Sequence, residues 1–244
     1  MAAFFADLLD NFRSPAFLER VRVKFHYEKT RLEELRVVAE EMYPLLCREA
    51  FWERKQAEGQ ADEEIAVRRI EEEASACRTS PSKTQYEQVV MSLGAGVDAL
   101  QEHYSGQGHL SQSYMLEVLA GELLMQGYGA YNRYVAETTD RHVARYHFPG
   151  SEEAYPLEML PDLLKGFQGQ VTCNEAFCMI PKKSVVFVAE LTQDEKVRCE
   201  GICVGCNSIH CANRVADDSR TKQLWARMAD VPLSYGYSRI FGKL

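Results

Sequence analysis

The chain has 244 residues, of which 46% are hydrophobic and 26% charged, a composition typical of a globular protein with a substantial buried core. Its formal net charge of −8 argues against a nucleic-acid-binding protein, because such a protein needs a basic surface to displace counterions. The sequence has no apolar run long enough for a membrane span and no basic segment before an apolar leader. We therefore expect a cytoplasmic protein that binds neither nucleic acid nor membrane.

Residues 1–80 are predicted to form a helical N-terminal region. A helix is expected from Ala16 to about Gln56, with Ser14-Pro15 as its cap and first turn, because apolar side chains recur there at steps of three and four. Pro44 is expected to kink or end this helix near Tyr43. The apolar positions that define its buried face are Leu32, Leu35, Val38, Met42 and Leu45.

A domain boundary is predicted between this region and residues 84–244. A second amphipathic helix is expected at about 63–76, and the Ser- and Pro-containing stretch Arg78–Lys83 has the composition of a linker. The expected elements of the second domain are a strand Tyr86–Leu93, helices at 111–137, 155–166 and 219–229, and a strand Ser184–Leu191 whose partner begins at Val171-Thr172. This mixture predicts an α+β fold with a small mixed or antiparallel sheet.

Gly94-Ala95-Gly96 follows the first predicted strand of this domain and precedes a helix. The spacing of its glycines fits neither the dinucleotide-binding fingerprint nor the phosphate-binding P-loop. We therefore do not expect a phosphate site at this turn.

Four of the eight cysteines are crowded into thirteen residues, which favours a metal site over a spread-out set of disulfides. They are Cys199, Cys203, Cys206 and Cys211. Tight turns with glycine bring thiolates at such spacings to a common point, so we expect either an iron–sulfur cluster or zinc. Free thiols in a surface loop remain the alternative. The first three cysteines also have the spacing of radical S-adenosylmethionine enzymes, but too few residues follow them for the barrel of those enzymes.

A candidate ligand-binding loop precedes the cysteines. Arg145 leads through His147 into a turn at Pro149-Gly150, and Tyr155 follows shortly afterwards. A glycine at this position permits close approach of the backbone to a ligand. His147 could contact such a ligand or fill an ordinary half-buried position among aromatic residues.

Three short motifs follow one another: Arg145 with Pro149-Gly150, then Tyr155-Pro156-Leu157-Glu158, and then Met179-Ile180-Pro181-Lys182-Lys183-Ser184-Val185. In this order they resemble the C-terminal reactivation domain of cobalamin-dependent methionine synthase, and more closely the stand-alone bacterial proteins related to that domain. The family pattern is an arginine before a Pro-Gly-Tyr turn, a Pro-Leu helix, a Met-x-Pro-x-x-Ser-Val strand and, in the stand-alone members, a trailing cysteine cluster. The match spans about residues 84 to 214.

The resemblance implies a protein that binds S-adenosylmethionine and docks on a corrinoid protein or methyltransferase, whose cobalamin is reduced and then methylated. The residues it assigns to the ligand are Arg145, His147, Pro149, Gly150 and Tyr155. By this analogy Arg145 pairs with the ligand carboxylate, for which a planar guanidinium is well suited, with Arg141 as the alternative. Ser151 stands where the family has a tyrosine directly after the glycine.

Two functions of different classes follow from these observations. The first is an accessory activator of a corrinoid methyltransferase, in which an iron–sulfur cluster could pass the reducing electron. The second is a non-catalytic, zinc-stabilised protein-interaction module with a helical docking arm. An independent small-molecule methyltransferase ranks last, because the usual glycine-rich strand–turn–helix is missing. Whether the chain is itself an enzyme stays open.

Overall fold

The computed structural model describes residues 3–56, 84–151, 155–167 and 169–197, together with Cys199 and Ile202. Within these residues the chain forms six α-helices and six strands, so the predicted α+β class is confirmed. The helices are α1 (Ala3–Phe12), α2 (Pro15–Lys24), α3 (Leu32–Glu49), α4 (Ala95–Gly106), α5 (Leu110–Thr138) and α6 (Leu160–Lys165). The strands are β1 (Phe51–Gln56), β2 (Gln85–Ser92), β3 (His142–His147), β4 (Thr172–Cys173), β5 (Met179–Ile180) and β6 (Ser184–Thr192).

The architecture is centred on a four-stranded antiparallel sheet with the strand order β1-β2-β6-β3. The two central strands pair along their whole length, from Gln85 opposite Leu191 to Ser92 opposite Ser184. Successive side chains of a strand point to opposite faces, so this pairing fixes which residues share a face. β4 and β5 form a separate two-stranded hairpin.

One face of the sheet packs against helix α5 and is mostly aromatic and aliphatic. The rings of Tyr146 and Phe187 lie 5.2 Å apart, centre to centre, and edge to face. Tyr131 from α5 donates a hydrogen bond of 2.8 Å to the buried carboxylate of Glu87, which Arg54 also contacts at 2.6 Å. The other face is covered by residues 155–173, whose buried members include Tyr155, Leu160, Leu163, Leu164, Phe167 and Val171.

The N-terminal helices share a core with α4 and the first half of α5. Helix α2 begins as predicted, because the Ser14 hydroxyl accepts a hydrogen bond of 3.1 Å from Phe17 N and Pro15 occupies the first turn. Buried side chains from α1, α2 and α3 pack here against Met115, Leu116 and Leu119 of α5. The N-terminal helices thus rest on the same long helix that supports the sheet.

The prediction of one helix from Ala16 to Gln56 is wrong in two places. The chain leaves the helix after Lys24 and turns at His26, whose φ of 56° is left-handed, before α3 begins at Leu32. Helix α3 then continues past Pro44 to Glu49, and Phe51–Gln56 is strand β1. Pairing with β2 overrides the helix-forming tendency of the glutamate, lysine and glutamine in that segment.

The expected partner of the strand at 184–191 is also wrong. Thr172 pairs with Ile180 in the β4–β5 hairpin, whereas β6 pairs with β2 and β3. The strand predicted at 86–93 and the helix predicted at 111–137 are confirmed as β2 and α5. The helices predicted at 63–76 and 219–229 lie outside the described residues.

The predicted boundary at 78–83 also lies outside the described residues, and the division into two domains stays a prediction. None of the helices in the described part of the chain has the length and apolar character needed to cross a bilayer. The cytoplasmic location stays a prediction as well.

A buried ion pair joins α2 to the middle of α5. Lys24 Nζ lies 2.8 Å from Glu122 Oε2, and their side chains are 4% and 0% exposed. Two charges removed from water are tolerated only as a pair, because the loss of either one leaves the other uncompensated. The pair therefore fixes how α2 sits on α5 without being a large source of stability.

This arrangement predicts opposite outcomes for single and double substitutions. Lys24→Met should lower the free energy of unfolding by about 3–5 kcal/mol, because Glu122 keeps its buried charge. Lys24→Met combined with Glu122→Leu should recover most of that loss. Urea unfolding measures both, with Arg36→Met as the control, since its ion pair with Glu33 is exposed and contributes little to stability. A double variant that loses as much stability as the sum of the two single substitutions would contradict this account of the ion pair.

Candidate functional site

The sheet face turned away from α5 brings a set of polar side chains together. Residues directly opposite each other on antiparallel strands point to the same face. Tyr86 on β2 is opposite Glu190 on β6, and Glu190 is opposite Arg145 on β3. His147 on β3 and Gln88 on β2 are both opposite Val188, one step along the same face. We call these five residues, Tyr86, Gln88, Arg145, His147 and Glu190, the polar face.

A β-bulge determines where Arg145 points. The register of β3 against β6 shifts between Val143 and Arg145, so that Ala144 is the additional residue. Because of this shift Val143 and Tyr146 lie against α5, whereas Arg145 and His147 lie on the polar face. The sequence motif around Arg145 thus acquires its orientation from the bulge.

His147 and Tyr155 hold each other in a buried position. Their rings are stacked 4.6 Å apart with an interplanar angle of 20°. The imidazole is 4% exposed and the tyrosine 2%, and His147 Nε2 lies 3.6 Å from Glu190 Oε2. His147 and Tyr155, two of the five residues that the sequence assigns to a ligand, therefore contact each other. They connect β3 to the segment 155–173 that covers this face, which we call the covering segment.

The Pro149-Gly150 turn is tied to the same place. Gly150 has a φ of +80°, a conformation that L side chains rarely adopt, and its N–H donates to Tyr155 O at 2.7 Å. The N–H and hydroxyl of Ser151 both donate to Phe148 O, at 3.0 and 2.8 Å. Pro149 is half-buried and Gly150 exposed. The turn thus presents its glycine to the surface beside the His147–Tyr155 stack.

Two further groups on the polar face are unusual for a sheet interior. The side-chain oxygen of Gln88 is buried and has no hydrogen-bond partner among the described residues. An unsatisfied buried amide oxygen of this kind costs about 1–3 kcal/mol. Burial and the neighbouring Glu190 carboxylate raise the pKa of Tyr86, which keeps its phenol neutral. The face therefore combines a cation, an anion and neutral polar groups.

Of the four cysteines predicted to bind a metal, Cys199 lies in the described part of the chain. It is half-buried and packs against the cluster between the sheet and α5, the face opposite to Arg145. The ring N–H of His142 holds the preceding segment by donating to Val197 O at 2.8 Å. Cys203, Cys206 and Cys211 lie outside the described residues, and the described residues alone hold no group of three or more potential metal ligands.

The N-terminal end of α4 is occupied by the chain's own carboxylate. Glu49 Oε2 accepts a hydrogen bond of 2.6 Å from Gly96 N, at the helix end where an anion would bind. A Cβ atom on Gly94 would lie 2.4 Å from Glu49 Cβ. The glycines of Gly94-Ala95-Gly96 thus make room for the end of α3 at this turn.

The structure places Arg145, His147 and Tyr155 together with the Pro149-Gly150 turn, as the sequence motif had grouped them. The sequence reasoning missed Glu190, Tyr86 and Gln88. A signal for Glu190 existed, since it interrupts the apolar residues of a predicted strand at 184–191. Its neighbours on the face come from strands 40 or more residues away in sequence, and only the register reveals them.

No protein-family model matches this chain, and a comparison with curated proteins finds no match either.

The Gly150 turn yields a test with an internal control. Gly150→Ala should destabilise the fold by about 1–2 kcal/mol for the left-handed backbone, and further because its new methyl would lie 3.3 Å from Leu157. Gly108→Ala shares the positive φ, at +75°, but meets open space. Urea unfolding of both variants measures the difference. Equal losses of unfolding free energy in the two variants would mean that the Leu157 side chain moves aside without an energetic cost.

Proposed function

We propose that this chain is an accessory protein that binds S-adenosylmethionine at the polar face and supports reductive methylation of a corrinoid on a partner methyltransferase. The ordered motifs that resemble the methionine synthase reactivation domain support the proposal. The observation that carries it is the convergence of Arg145, His147 and Tyr155 beside the exposed Gly150. The motif at Arg145–Gly150 and the motif that begins at Tyr155 meet there through the His147–Tyr155 stack and the Gly150–Tyr155 hydrogen bond.

The residues present fit the charges of such a ligand. S-adenosylmethionine supplies a methyl group on a cationic sulfur, and its other end is a zwitterionic amino acid. Arg145 is half-buried, and its guanidinium can bind a carboxylate through two parallel hydrogen bonds. The carboxylate of Glu190, which lies on the same face and is 28% exposed, suits a positive charge of the ligand.

In this proposal the protein's part in the chemistry is to hold and orient the methyl donor. Since the methyl acceptor is cobalt on the partner, this chain needs no nucleophile of its own, and placing the donor correctly is its contribution. The His147–Tyr155 stack fixes the end of β3 against the turn. The exposed backbone at Gly150 leaves this end of the sheet open to a second protein.

The cysteine segment is proposed to hold an iron–sulfur cluster or zinc through Cys199, Cys203, Cys206 and Cys211. The packing of Cys199 favours the second candidate, a zinc-stabilised interaction module. Cys199 lies against the α5 face, so the sheet separates it from Arg145. A metal that only stabilises the fold can lie on either face, whereas an electron carrier and the methyl donor must both reach the cobalt of the partner.

Titration calorimetry with S-adenosylmethionine tests the binding proposal. Binding of S-adenosylmethionine to the unmodified chain should release or absorb heat, with a stoichiometry near one ligand per chain. Arg145→Gln should weaken binding about tenfold or more, because a charge-assisted bidentate contact is lost. Arg36→Gln, an exposed arginine on α3, is the matched control and should bind normally. A chain that gives no heat would favour the interaction module.

Metal analysis separates the two candidates by a different route. Protein purified without oxygen should contain iron and sulfide in similar amounts and absorb visible light if the segment holds a cluster. Cys199→Ser should lower the metal content, whereas Cys47→Ser, at an exposed cysteine on α3, should not. One zinc per chain with no visible absorbance would exclude an electron-carrying role and support the interaction module.

A further inference from the structure

We propose that Glu190 binds the ammonium group at the amino-acid end of the ligand, next to the carboxylate-binding Arg145. The inference rests on the proposed function, because it assigns a second charge of the same ligand to the same sheet face. Glu190 belongs to none of the sequence motifs that point to a ligand. The register alone places it between Tyr86 and Arg145.

The spacing of the two charged side chains matches that of the ligand's two charges. Glu190 and Arg145 are direct cross-strand neighbours, and the Cβ atoms of such neighbours lie about 4.5–5.5 Å apart. An α-amino acid carries its ammonium and carboxylate groups on one carbon atom. One acidic and one basic side chain standing side by side can therefore each take one group of the same zwitterion.

The carboxylate oxygens of Glu190 can accept further hydrogen bonds. Its side chain is 28% exposed, and His147 Nε2 lies 3.6 Å from its Oε2, beyond normal hydrogen-bond length. No hydrogen bond between described side chains uses its oxygens. An ammonium group needs three acceptors, and a partly exposed carboxylate at the margin of the covering segment can supply two.

The neighbours of Glu190 support a cation-binding role. Tyr86, directly opposite, is neutral, and two residues further along β2 the buried oxygen of Gln88 has no hydrogen-bond partner among the described residues. Both lie on the side of Glu190 away from Arg145, since β6 stands between β2 and β3. The neutral residues that flank Glu190 therefore lie towards β2 and Arg145 lies towards β3. The next cation on this face, Lys55 on β1, is opposite Gln88 rather than Glu190.

A structural role for Glu190 is the competing explanation. Glutamate opposite arginine is a common cross-strand pair that contributes to sheet stability by itself. Such a role would make the unfolding midpoint sensitive to Glu190, and any loss of ligand affinity would accompany that destabilisation in the Gln and Asp variants alike. The two roles are therefore separable by measuring both properties in the same variants.

The test uses Glu190→Gln, which keeps the shape and removes the charge, and Glu190→Asp, which keeps the charge. Titration calorimetry is run with S-adenosylmethionine and with S-adenosylhomocysteine, which has the same amino-acid end but no sulfonium charge. We expect Glu190→Gln to weaken both ligands by about tenfold or more, and Glu190→Asp to weaken them less. Glu53→Gln on β1, opposite Val90 of the same sheet face, is the matched control and should bind normally.

Each result bears on a different claim. Unchanged affinity in Glu190→Gln overturns the inference and leaves the proposed function standing. Loss of affinity for S-adenosylmethionine alone also overturns it, because Glu190 would then respond to the sulfonium. Equal losses in the Gln and Asp variants, with a lowered urea midpoint, would identify a structural role. An unmodified chain that binds neither ligand refutes the proposed function itself, and the inference with it.

Discussion

The pairing of β2 with β6 is the constraint on which the rest of the structure depends. These two strands are adjacent in the sheet although more than 90 residues separate their paired ends Ser92 and Ser184. Their register assigns alternate residues to two unlike faces. A shift by one residue would move Glu190 into the aromatic layer and Phe187 out of it, exchanging every side chain between the faces. The cost of that exchange fixes the register, and with it the composition of the candidate site.

The two faces divide the tasks of stability and recognition between them. The α5 face buries aromatic rings in mutual contact, and its acid, Glu87, is satisfied by Tyr131 and Arg54. On the opposite face the buried Gln88 oxygen has no hydrogen-bond partner among the described residues. An unsatisfied buried polar group in a folded protein calls for an explanation, and the proposed ligand site on this face would supply one.

How far the sequence could predict this molecule depends on how local each signal is. The β2 and α5 predictions succeeded because apolar residues and turn signals within the segment decide them. Phe51–Gln56 failed because its residues favour a helix locally, and only a distant strand makes it extended. The hairpin at 172–180 failed for a similar reason, since the choice of partner is a tertiary decision.

The candidate site shows the same limit. Arg145, His147 and the Pro149-Gly150 turn lie within six residues, so a sequence motif could group them. Glu190 and Tyr86 join them only through cross-strand pairing, and the bulge at Ala144 decides which way Arg145 points. Neither pairing nor bulge leaves a mark in a single sequence. The sequence motif therefore identified the β3 residues of the candidate site, and the strand register added those on β2 and β6.

The position of β3 at the end of the strand order reconciles the two separated parts of the proposal. Cys199 packs on the α5 face and Arg145 on the other, yet both lie near a strand with no further strand beyond it among the described residues. A partner that docks along β3, next to the exposed Gly150, could therefore contact both faces at once. Electron delivery and methyl-donor binding need not share a face if the cobalt of the partner is brought to that edge.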